Sequence, residues 1–135
     1  MITKIKKDYF IIAEVGQNHQ GSLKIALEYI KNFSELGADA VKFQIRSNKN
    51  LFSKDAYQAK YNSENAFAKT YGKHREKLEL SSKDLIKIRN ACKTYKVKFM
   101  VTPFDEGSLE KICKIGVDII KIASFDLGNL PFIKK

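Results

Sequence analysis

Apolar positions in the first third of the chain change from the spacing of a strand to that of a helix and back. The mostly apolar run Tyr9–Val15 predicts a buried strand. Ser22 is then a suitable N-cap for a helix, because apolar residues recur at helical spacing over 23–33 until Gly37 ends the pattern. A second apolar run predicts another strand over 40–45. This third of the chain is therefore predicted as strand, helix, strand.

The same alternation returns in the second half of the chain. Ser81 and Asp84 stand at capping-box spacing before an amphipathic pattern that predicts a helix. Residues 99–101 predict a third strand, and a short helix should follow it. The apolar run Ile119–Ala123 predicts a fourth strand, and a last helix should begin near Leu130. Strands that are joined by helices run parallel with right-handed crossovers, so the predicted fold class is α/β.

Two α/β architectures fit this order: an open doubly wound sheet and a (β/α)8 barrel. A doubly wound sheet gathers its functional groups at one switch point, whereas a TIM barrel collects them from the carboxyl ends of several strands. Polar residues stand at or near the carboxyl end of every predicted strand, namely Glu14, Lys42, Gln44, Thr102 and Lys121. The pattern favours a parallel barrel of TIM type. Because a complete barrel takes about 250 residues, residues 1–135 should hold only its first four β/α units.

Residues 46–80 form a long polar insertion without a sustained period. The insertion carries Tyr57, Tyr61, Phe67 and Tyr71, and aromatic residues favour a folded segment over a disordered one. Connections of this length are usually functional or disordered. We therefore expect a folded lid, in which the aromatic residues serve packing.

Lys42 and Lys121 are the most unusual residues of the chain. Each stands five residues after a glycine within an apolar run, in near-copies of one phrase. A cation on a buried strand is costly unless an anion or a hydrated cavity meets it. Strand alternation places Lys42 on the same face as Gln44. The repeated phrase favours a site for a small, multiply charged anion over two lysines that reach into solvent.

Further polar groups stand beside the predicted strand ends. The loop after the first strand offers Asn18 and His19 between two glycines, although a capped structural loop is the other interpretation. Thr102 ends the third strand before a helix whose N-terminal amides could face an anion, and an ordinary turn with Asp105 as N-cap is the alternative. The predicted fourth strand is followed by two more hydrogen-bonding side chains, Ser124 and Asp126.

The composition excludes several classes of protein. The formal net charge of +10 comes mostly from lysines that are spread along the chain without a run of five, so no nucleic-acid partner is expected. No apolar stretch approaches about 20 residues, and the amino terminus does not resemble a secretory signal, so we expect no membrane partner and a cytoplasmic location. Cys92 and Cys113 stand at apolar helix positions and are expected to be buried thiols.

Five motifs occur in an order that resembles the amino-terminal half of the sialic acid synthase family, which includes N-acetylneuraminate, legionaminate and pseudaminate synthases. Each motif alone is a weak signal, but five in the correct order are specific. The resemblance extends over residues 8–135. The motifs are Ile12–Gly21, Gly37–Gln44, Leu78–Ser81, Thr102–Asp105 and Lys121–Ser124.

The resemblance implies a (β/α)8 barrel that condenses phosphoenolpyruvate with an N-acetylated amino sugar such as N-acetylmannosamine. The products would be a nonulosonic acid, used in surface carbohydrates, and phosphate. In that chemistry the enol carbon attacks the open-chain sugar aldehyde, whose oxygen is polarised by a divalent manganese or magnesium ion. Water then adds to the former enol carbon and phosphate leaves. The metal-binding histidines of the family lie on later strands, so the resemblance places no metal ligand in this chain.

The same resemblance assigns roles to individual residues. Lys42 would hold the phosphate and Lys121 the carboxylate of phosphoenolpyruvate. Glu14 would be the catalytic residue and would orient water or pass a proton. Asp126 would meet the sugar, and Phe125 stands in place of a glycine of the family pattern, which leaves the identity of the sugar open. The other substrate-binding candidates are Asn18, His19, Gln44, Thr102 and Ser124.

The family also has a second half barrel and an antifreeze-like domain, for which residues 1–135 show no motif. The resemblance therefore implies a truncated or split portion of an enzyme that is inactive alone. One alternative is a subunit completed by a second half-barrel chain or by a homo-oligomer, because half a barrel leaves two unpaired sheet edges. The other alternative is a non-catalytic half barrel that binds a phosphorylated anion.

Overall fold

The computed structural model describes residues 8–135, which form an α/β fold with a four-stranded parallel sheet. The strands, in the spatial order of the sheet, are β1 (Ile12–Gly16), β2 (Ala40–Ile45), β3 (Lys98–Pro103) and β4 (Ile119–Ile120). The helices are α1 (Leu23–Glu35), α2 (Asn48–Leu51), α3 (Lys54–Gln58), α4 (Tyr71–Lys77), α5 (Ser82–Thr94), α6 (Glu106–Ile115) and α7 (Leu130–Lys134), and a 3₁₀ turn covers Ser124–Asp126. The predicted α/β class and the parallel pairing are confirmed.

Local chemistry explains where the main helices begin and end. Ser22 caps α1, because its hydroxyl accepts a hydrogen bond from the backbone N–H of Ile25 at 3.4 Å. Ser81 and Asp84 form the predicted capping box at the start of α5: the Ser81 hydroxyl accepts from the Asp84 N–H at 3.2 Å, and the Asp84 carboxylate accepts from the Ser81 N–H at 3.3 Å. Gly116 ends α6 in the left-handed conformation, with φ of 79°.

The two faces of the sheet differ in what covers them. One face packs its apolar side chains against α1, α5 and α6, and its buried residues are Val41, Phe43, Ile45, Phe99 and Val101. A doubly wound sheet carries helices on both faces, so residues 8–135 do not have that architecture. The opposite face carries the polar register pairs, and we call it the lysine face. Its side chains in β1 to β3 include Glu14, Lys42, Gln44, Met100 and Thr102.

The first and last strands are shorter than predicted. β1 begins at Ile12 and not at Tyr9, because its register with β2 begins with the pair Ile12 and Ala40. β4 ends at Ile120, since only two of its residues pair with β3. Lys121 therefore directly follows the last strand instead of standing inside it.

The prediction of two buried thiols is wrong for Cys113. The buried face of α6 is formed by Leu109, Ile112 and Ile115, and Cys113 is exposed because it is one residue, about 100° around the helix, away from Ile112. Cys92 is buried in α5, as predicted. Both thiols are free.

The insertion, residues 46–80, is folded as expected. It contains α2, α3 and α4, and an isolated antiparallel bridge joins Lys60 to Thr70. Tyr61 is the centre of an aromatic cluster in the insertion. The centre of its ring lies 4.4 Å from that of His74 and 5.5 Å from that of Tyr71. The function of the insertion as a lid stays a prediction. No helix within residues 8–135 is both long and apolar enough to cross a membrane.

Candidate functional site

Strands β1 and β2 place a carboxylate beside an ammonium group on the lysine face. Glu14 and Lys42 are register partners on neighbouring parallel strands, so their side chains point to the same side of the sheet. The two side chains form an ion pair. The Lys42 side chain is only 12% exposed, whereas that of Glu14 is 44% exposed. The carboxylate therefore compensates a largely buried cation and remains accessible to a ligand.

Gln44 and Thr102 form the next polar register pair on the lysine face. Gly16 lies beside them with φ of 56°, and a Cβ at this position would come within 3.0 Å of Glu14 Oε1 and 3.4 Å of Gln44 Nε2. Glycine therefore leaves room for both polar side chains. Thr102 is buried, and its hydroxyl has no hydrogen-bond partner in the described structure. Buried hydroxyls without a partner are uncommon, so the Thr102 hydroxyl has an unused capacity for a hydrogen bond.

Lys121 lies at the same end of the sheet but apart from the Glu14–Lys42 pair. Its backbone N–H donates to Val101 O at 3.0 Å, and its exposed ammonium donates to Ile122 O at 3.4 Å. Two strand spacings, or roughly 10 Å, separate β2 from β4. The structure thus brings both lysines to the carboxyl end of the sheet without a shared protein partner.

The segment after β4 holds the last two candidates in different environments. Ser124 is exposed in the 3₁₀ turn, whereas Asp126 is buried. Asp126 Oδ1 accepts a hydrogen bond from Asn129 Nδ2 at 3.1 Å, and Asp126 Oδ2 has no partner in the described structure. Between them, Phe125 is exposed and stacks on Phe104, with 5.7 Å between the ring centres. This turn therefore offers an aromatic ring and a carboxylate at the edge of the site.

The loop after β1 separates its two candidates. Asn18 is exposed, and its side-chain amide donates to Val15 O at 3.0 Å, which closes the turn. His19 is buried with its ring centre 6.0 Å from that of Phe43, a residue of the helix-packed face. Its Nδ1 accepts from the Gly21 N–H at 3.1 Å. Burial lowers the pKa of His19 to about 4, so the imidazole is neutral at neutral pH. His19 is thus a core residue in this structure, and its substrate-binding role stays a prediction.

The N-terminus of α6 is already occupied by a carboxylate. Asp105 Oδ1 accepts from the Ser108 N–H at 2.9 Å, and Asp105 Oδ2 accepts from the Ser47 N–H at 2.6 Å. The interpretation as an ordinary N-cap is therefore confirmed. The negative charge of Asp105 disfavours a second anion at these amides, so the anion site is better placed on the lysine face.

The described residues do not fit the divalent metal that the sequence resemblance implies. Within residues 8–135, no three His, Cys, Asp or Glu side chains come close enough to hold an ion. His19 lies in the core, and His74 lies inside the insertion, where its Nδ1 accepts from the Phe67 N–H at 3.2 Å. These two imidazoles are therefore engaged in local structure.

Sequence reasoning missed a buried polar network beside the lysine face. Arg46 Nη2 donates to Gln44 Oε1 at 2.6 Å, and Glu79 accepts from the Arg46 N–H at 3.2 Å. The Glu79 carboxylate lies 3.5 Å from Arg46 Nε and accepts from Gln17 Nε2 at 2.9 Å. Gln17 in turn accepts from Arg75 Nη1 at 2.5 Å. We call Gln17, Arg46, Arg75 and Glu79 the Arg46 network.

The Arg46 network joins the insertion to the strand ends. Burial raises the pKa of Glu79 and lowers the pKa of Arg46, which shows that both charges are desolvated. The backbone packs closely here as well: a Cβ on Gly21, which has φ of 74°, would lie 2.1 Å from Lys77 O. A usable signal was present in the sequence, because Arg46 directly follows an apolar strand and Glu79 stands between two leucines.

A parallel sheet covered by helices on one face, with charged groups at its carboxyl end, defines the class of the protein as an α/β domain with a strand-end site. The sequence profile of the NeuB family matches residues 29–135, and the chain belongs to this family. The resemblance to sialic acid synthases is thereby confirmed.

Named relatives show how much of a longer protein this chain represents. It is 39% identical over 132 residues to N-acetylneuraminate-9-phosphate synthase of Drosophila melanogaster, covering 98% of this chain and 36% of the relative. It is 37% identical over 126 residues to N,N'-diacetyllegionaminic acid synthase of Legionella pneumophila, covering 93% of this chain and 35% of the relative. The chain thus spans little more than a third of the length of these curated relatives.

Solved structures support the same fold. N-acetylneuraminic acid synthetase of Leptospira borgpetersenii superposes with a TM-score of 0.76 at 27% identity, covering 99% of this chain and 44% of that structure. A truncated 3-deoxy-D-arabino-heptulosonate 7-phosphate synthase of Thermotoga maritima superposes with a TM-score of 0.58 at 18% identity, covering 98% of this chain and 38% of that structure. The second likeness concerns the fold alone.

Proposed function

We propose that residues 8–135 form the phosphoenolpyruvate-binding part of a nonulosonic acid synthase. The named relatives are synthases of sialic and legionaminic acids, which supports this class of product. The observation that carries the proposal is the Glu14–Lys42 pair, with Gln44 and Thr102 in the next polar row, on a sheet face without the covering helices. The complete enzyme would be a transferase that joins phosphoenolpyruvate to an N-acetylated amino sugar such as N-acetylmannosamine, for surface carbohydrates.

The proposed enzyme is a TIM-type (β/α)8 barrel in which β1 to β4 are the first four strands. Helices on one face and the strand order β1-β2-β3-β4 support this architecture. Apolar side chains are exposed at both sheet edges, namely Ile12 in β1, Ile120 in β4, and Phe125 and Leu127 in the segment after β4. Uncovered edges of this kind favour pairing with further strands, which the same polypeptide, a second half-barrel chain or another copy would supply.

The ion pair on the lysine face suggests how the site would respond to phosphoenolpyruvate. In the structure Glu14 is the counter-ion of Lys42. A phosphate group that binds the Lys42 ammonium would replace this carboxylate as its partner. The released Glu14 would then orient the water that adds to the former enol carbon, or accept a proton from it, as phosphate leaves.

The remaining candidates would complete the substrate contacts. Lys121 would bind the carboxylate of phosphoenolpyruvate, and the separation of roughly 10 Å between β2 and β4 leaves room for a small anion between two long side chains. Thr102 and Ser124 would add hydrogen bonds, and Asp126 would face the sugar. The manganese or magnesium ion expected from the family has no ligand set among residues 8–135, so the proposal assigns that ion to other parts of the enzyme.

Isothermal titration of phosphoenolpyruvate into the purified chain tests the proposal. The double variant Lys42→Ala/Lys121→Ala should lose binding, because both cations of the site are removed. Lys98→Ala is the matched control: Lys98 belongs to the same sheet face but stands at the amino end of β3, where its side chain is 59% exposed. Equal affinity of the double variant and the parent would refute the anion site.

A second measurement separates the proposed enzyme from its alternative. Phosphate release from phosphoenolpyruvate and N-acetylmannosamine should be absent with the chain alone and should appear when strands completing the barrel are supplied. If the completed barrel binds phosphoenolpyruvate but never releases phosphate, the non-catalytic half barrel is the better description.

A further inference from the structure

The hydrogen bond between Arg46 and Gln44 determines how the Gln44 amide is oriented. Gln44 Oε1 lies 2.6 Å from Arg46 Nη2. A guanidinium group has only donors, so the amide oxygen is the atom that can face it, and the amide nitrogen must point elsewhere. The orientation of this side chain therefore follows from the chemistry of its neighbour.

The amide nitrogen of Gln44 points toward the candidate site. A Cβ on Gly16 would lie 3.4 Å from Gln44 Nε2 and 3.0 Å from Glu14 Oε1, so the amide nitrogen and the carboxylate flank the same glycine. Lys42 is paired with this carboxylate. Gln44 thus presents N–H donors next to the proposed anion-binding ammonium.

Arg46 is itself held in one place. Its side chain is 6% exposed, its backbone N–H and its Nε both face the Glu79 carboxylate, and its guanidinium lies 4.3 Å from the centre of the Phe104 ring. A planar, charged group with a carboxylate on one side and an aromatic ring against it has little freedom to rotate. The end of the insertion therefore fixes Arg46, and Arg46 fixes Gln44.

We propose that Arg46 is a positioning residue that holds the Gln44 amide with its NH₂ group toward Gly16 and Glu14. The site then offers a hydrogen-bond donor at this point and selects a ligand group that accepts, such as a phosphate, carboxylate or carbonyl oxygen. The identity of the ligand rests on the proposed function, but the orientation of the amide does not.

Side-chain NMR of the purified chain tests the orientation without any ligand. The Gln44 NH₂ resonances, assigned by their loss in Gln44→Glu, should show a nuclear Overhauser effect to the α-proton of Gly16 that occupies the Cβ direction. Arg46→Met removes the donor at similar volume and should abolish this effect. Arg46→Lys keeps a positive charge beside Glu79, so this variant should fold. Its single ammonium nitrogen replaces the planar guanidinium, whose separate nitrogens face Glu79 and Gln44, so the nuclear Overhauser effect should also weaken.

Arg75→Met is the matched control for general damage to the Arg46 network. It removes the 2.5 Å hydrogen bond to Gln17 but leaves the contact between Arg46 and Gln44 intact, so the Gln44–Gly16 effect should persist. If the role of Arg46 were purely structural, Arg46→Met and Arg75→Met would lose stability alike, and the Gln44 amide would keep its orientation in both. Persistence of the effect in Arg46→Lys would overturn the proposal, whether or not Arg46→Met folds.

Binding of phosphoenolpyruvate tests the consequence for the site. Because one oriented hydrogen bond is lost, Arg46→Met and Arg46→Lys should bind phosphoenolpyruvate about three- to tenfold more weakly than the parent. Gln44→Glu keeps the acceptor for Arg46 but turns an oxygen toward the ligand, so it should bind more weakly still. Parent-like affinity of Gln44→Glu would contradict the donor role. If the parent itself fails to bind, the proposed function is wrong, and the NMR result still decides the role of Arg46.

Discussion

Two groups of charged side chains lie next to each other at the carboxyl end of the sheet. They differ in how deeply their carboxylates are buried and in how many hydrogen bonds these carboxylates accept. In the Arg46 network, Glu79 accepts hydrogen bonds from the Arg46 backbone and from Gln17, and its side chain is 17% exposed. On the lysine face, Glu14 is 44% exposed beside Lys42, and the Thr102 hydroxyl has no partner in the described structure. The carboxylate of the first group is largely buried and has a donor on each oxygen, while that of the second group is accessible to a ligand.

The difference separates charges that hold the fold from charges that can hold a ligand. A buried carboxylate whose oxygens already have donors stabilises the structure around it and has nothing to offer a substrate. An exposed carboxylate can exchange its partner for a ligand at small cost. We therefore expect substitutions in the Arg46 network to change stability first, and substitutions on the lysine face to change affinity first.

The largest expected effect is that of Glu79→Ala. Removal of this carboxylate leaves the Arg46 cation buried without a counter-ion, which should lower the free energy of unfolding by about 3–5 kcal/mol. Lys42→Ala is the comparison on the lysine face. The Glu14 side chain that it leaves behind is 44% exposed and is solvated by water, so the loss should stay below about 1 kcal/mol.

Urea denaturation followed by circular dichroism measures both variants. Similar losses for Glu79→Ala and Lys42→Ala would mean that the two groups of charges do not differ in the way described. A larger loss for Lys42→Ala would reverse the comparison and make the lysine face a structural feature.

The second expected effect concerns His19, which is buried in the core beside Phe43. Its pKa is lowered from 6.5 to about 4 by burial, so the unfolded chain takes up the proton first. The contribution of the neutral His19 to the free energy of unfolding is present in full above pH 6.5. It is lost as the pH falls toward 4, where the loss reaches about 3 kcal/mol. His74, whose pKa is also lowered by burial, adds to the slope in the same direction.

His19→Asn separates this contribution from the rest of the chain. Asparagine keeps an acceptor for the Gly21 N–H but does not titrate between pH 4 and 6.5. The variant should therefore lose the part of the pH dependence of the unfolding free energy that is due to His19, measured by urea denaturation at several pH values. It should keep the part due to His74 and the opposing part due to Glu79, whose pKa is raised by burial. If the unfolding free energy of His19→Asn depends on pH as strongly as that of the parent, His19 is in contact with water and within reach of a ligand.

Much of the fold could be predicted because its signals are local. The bounds of β2, the capping box at Ser81 and the N-cap of α1 at Ser22 each depend on a few neighbouring residues. The length of β4 could not be predicted in this way, because it depends on how many residues find partners on β3. Lys121 was therefore predicted inside the fourth strand, whereas in the structure it directly follows β4.

The candidate site was predictable only as far as alternation determines which way a side chain points. Alternation placed Lys42 and Gln44 on one face, but the ion pair with Glu14 depends on the register of β1 against β2, which no local pattern encodes. The Arg46 network joins Gln17 to Glu79 across 62 residues, so its members cannot be recognised as neighbours from the sequence. Arg46 and Glu79 nonetheless stand next to apolar residues, as Lys42 and Lys121 do, and a charge in such a position is the signal that the sequence contains.

The smallest expected effect is also the most direct test of whether a bound anion replaces Glu14 as the partner of Lys42. Glu14→Gln keeps the size of the side chain and removes the charge that competes with a bound anion for Lys42. The free energy of unfolding should fall by about 1–2 kcal/mol, because the ammonium of Lys42, whose side chain is 12% exposed, loses its counter-ion but keeps the amide oxygen of the glutamine as an acceptor. Affinity for phosphoenolpyruvate should rise about three- to tenfold, since the ligand no longer displaces a carboxylate or meets its repulsion. Titration calorimetry of Glu14→Gln beside Glu110→Gln, an exposed carboxylate on α6, measures the change. Weaker binding by Glu14→Gln would show that Glu14 helps to hold the ligand, and that the pair with Lys42 does not open when the anion arrives.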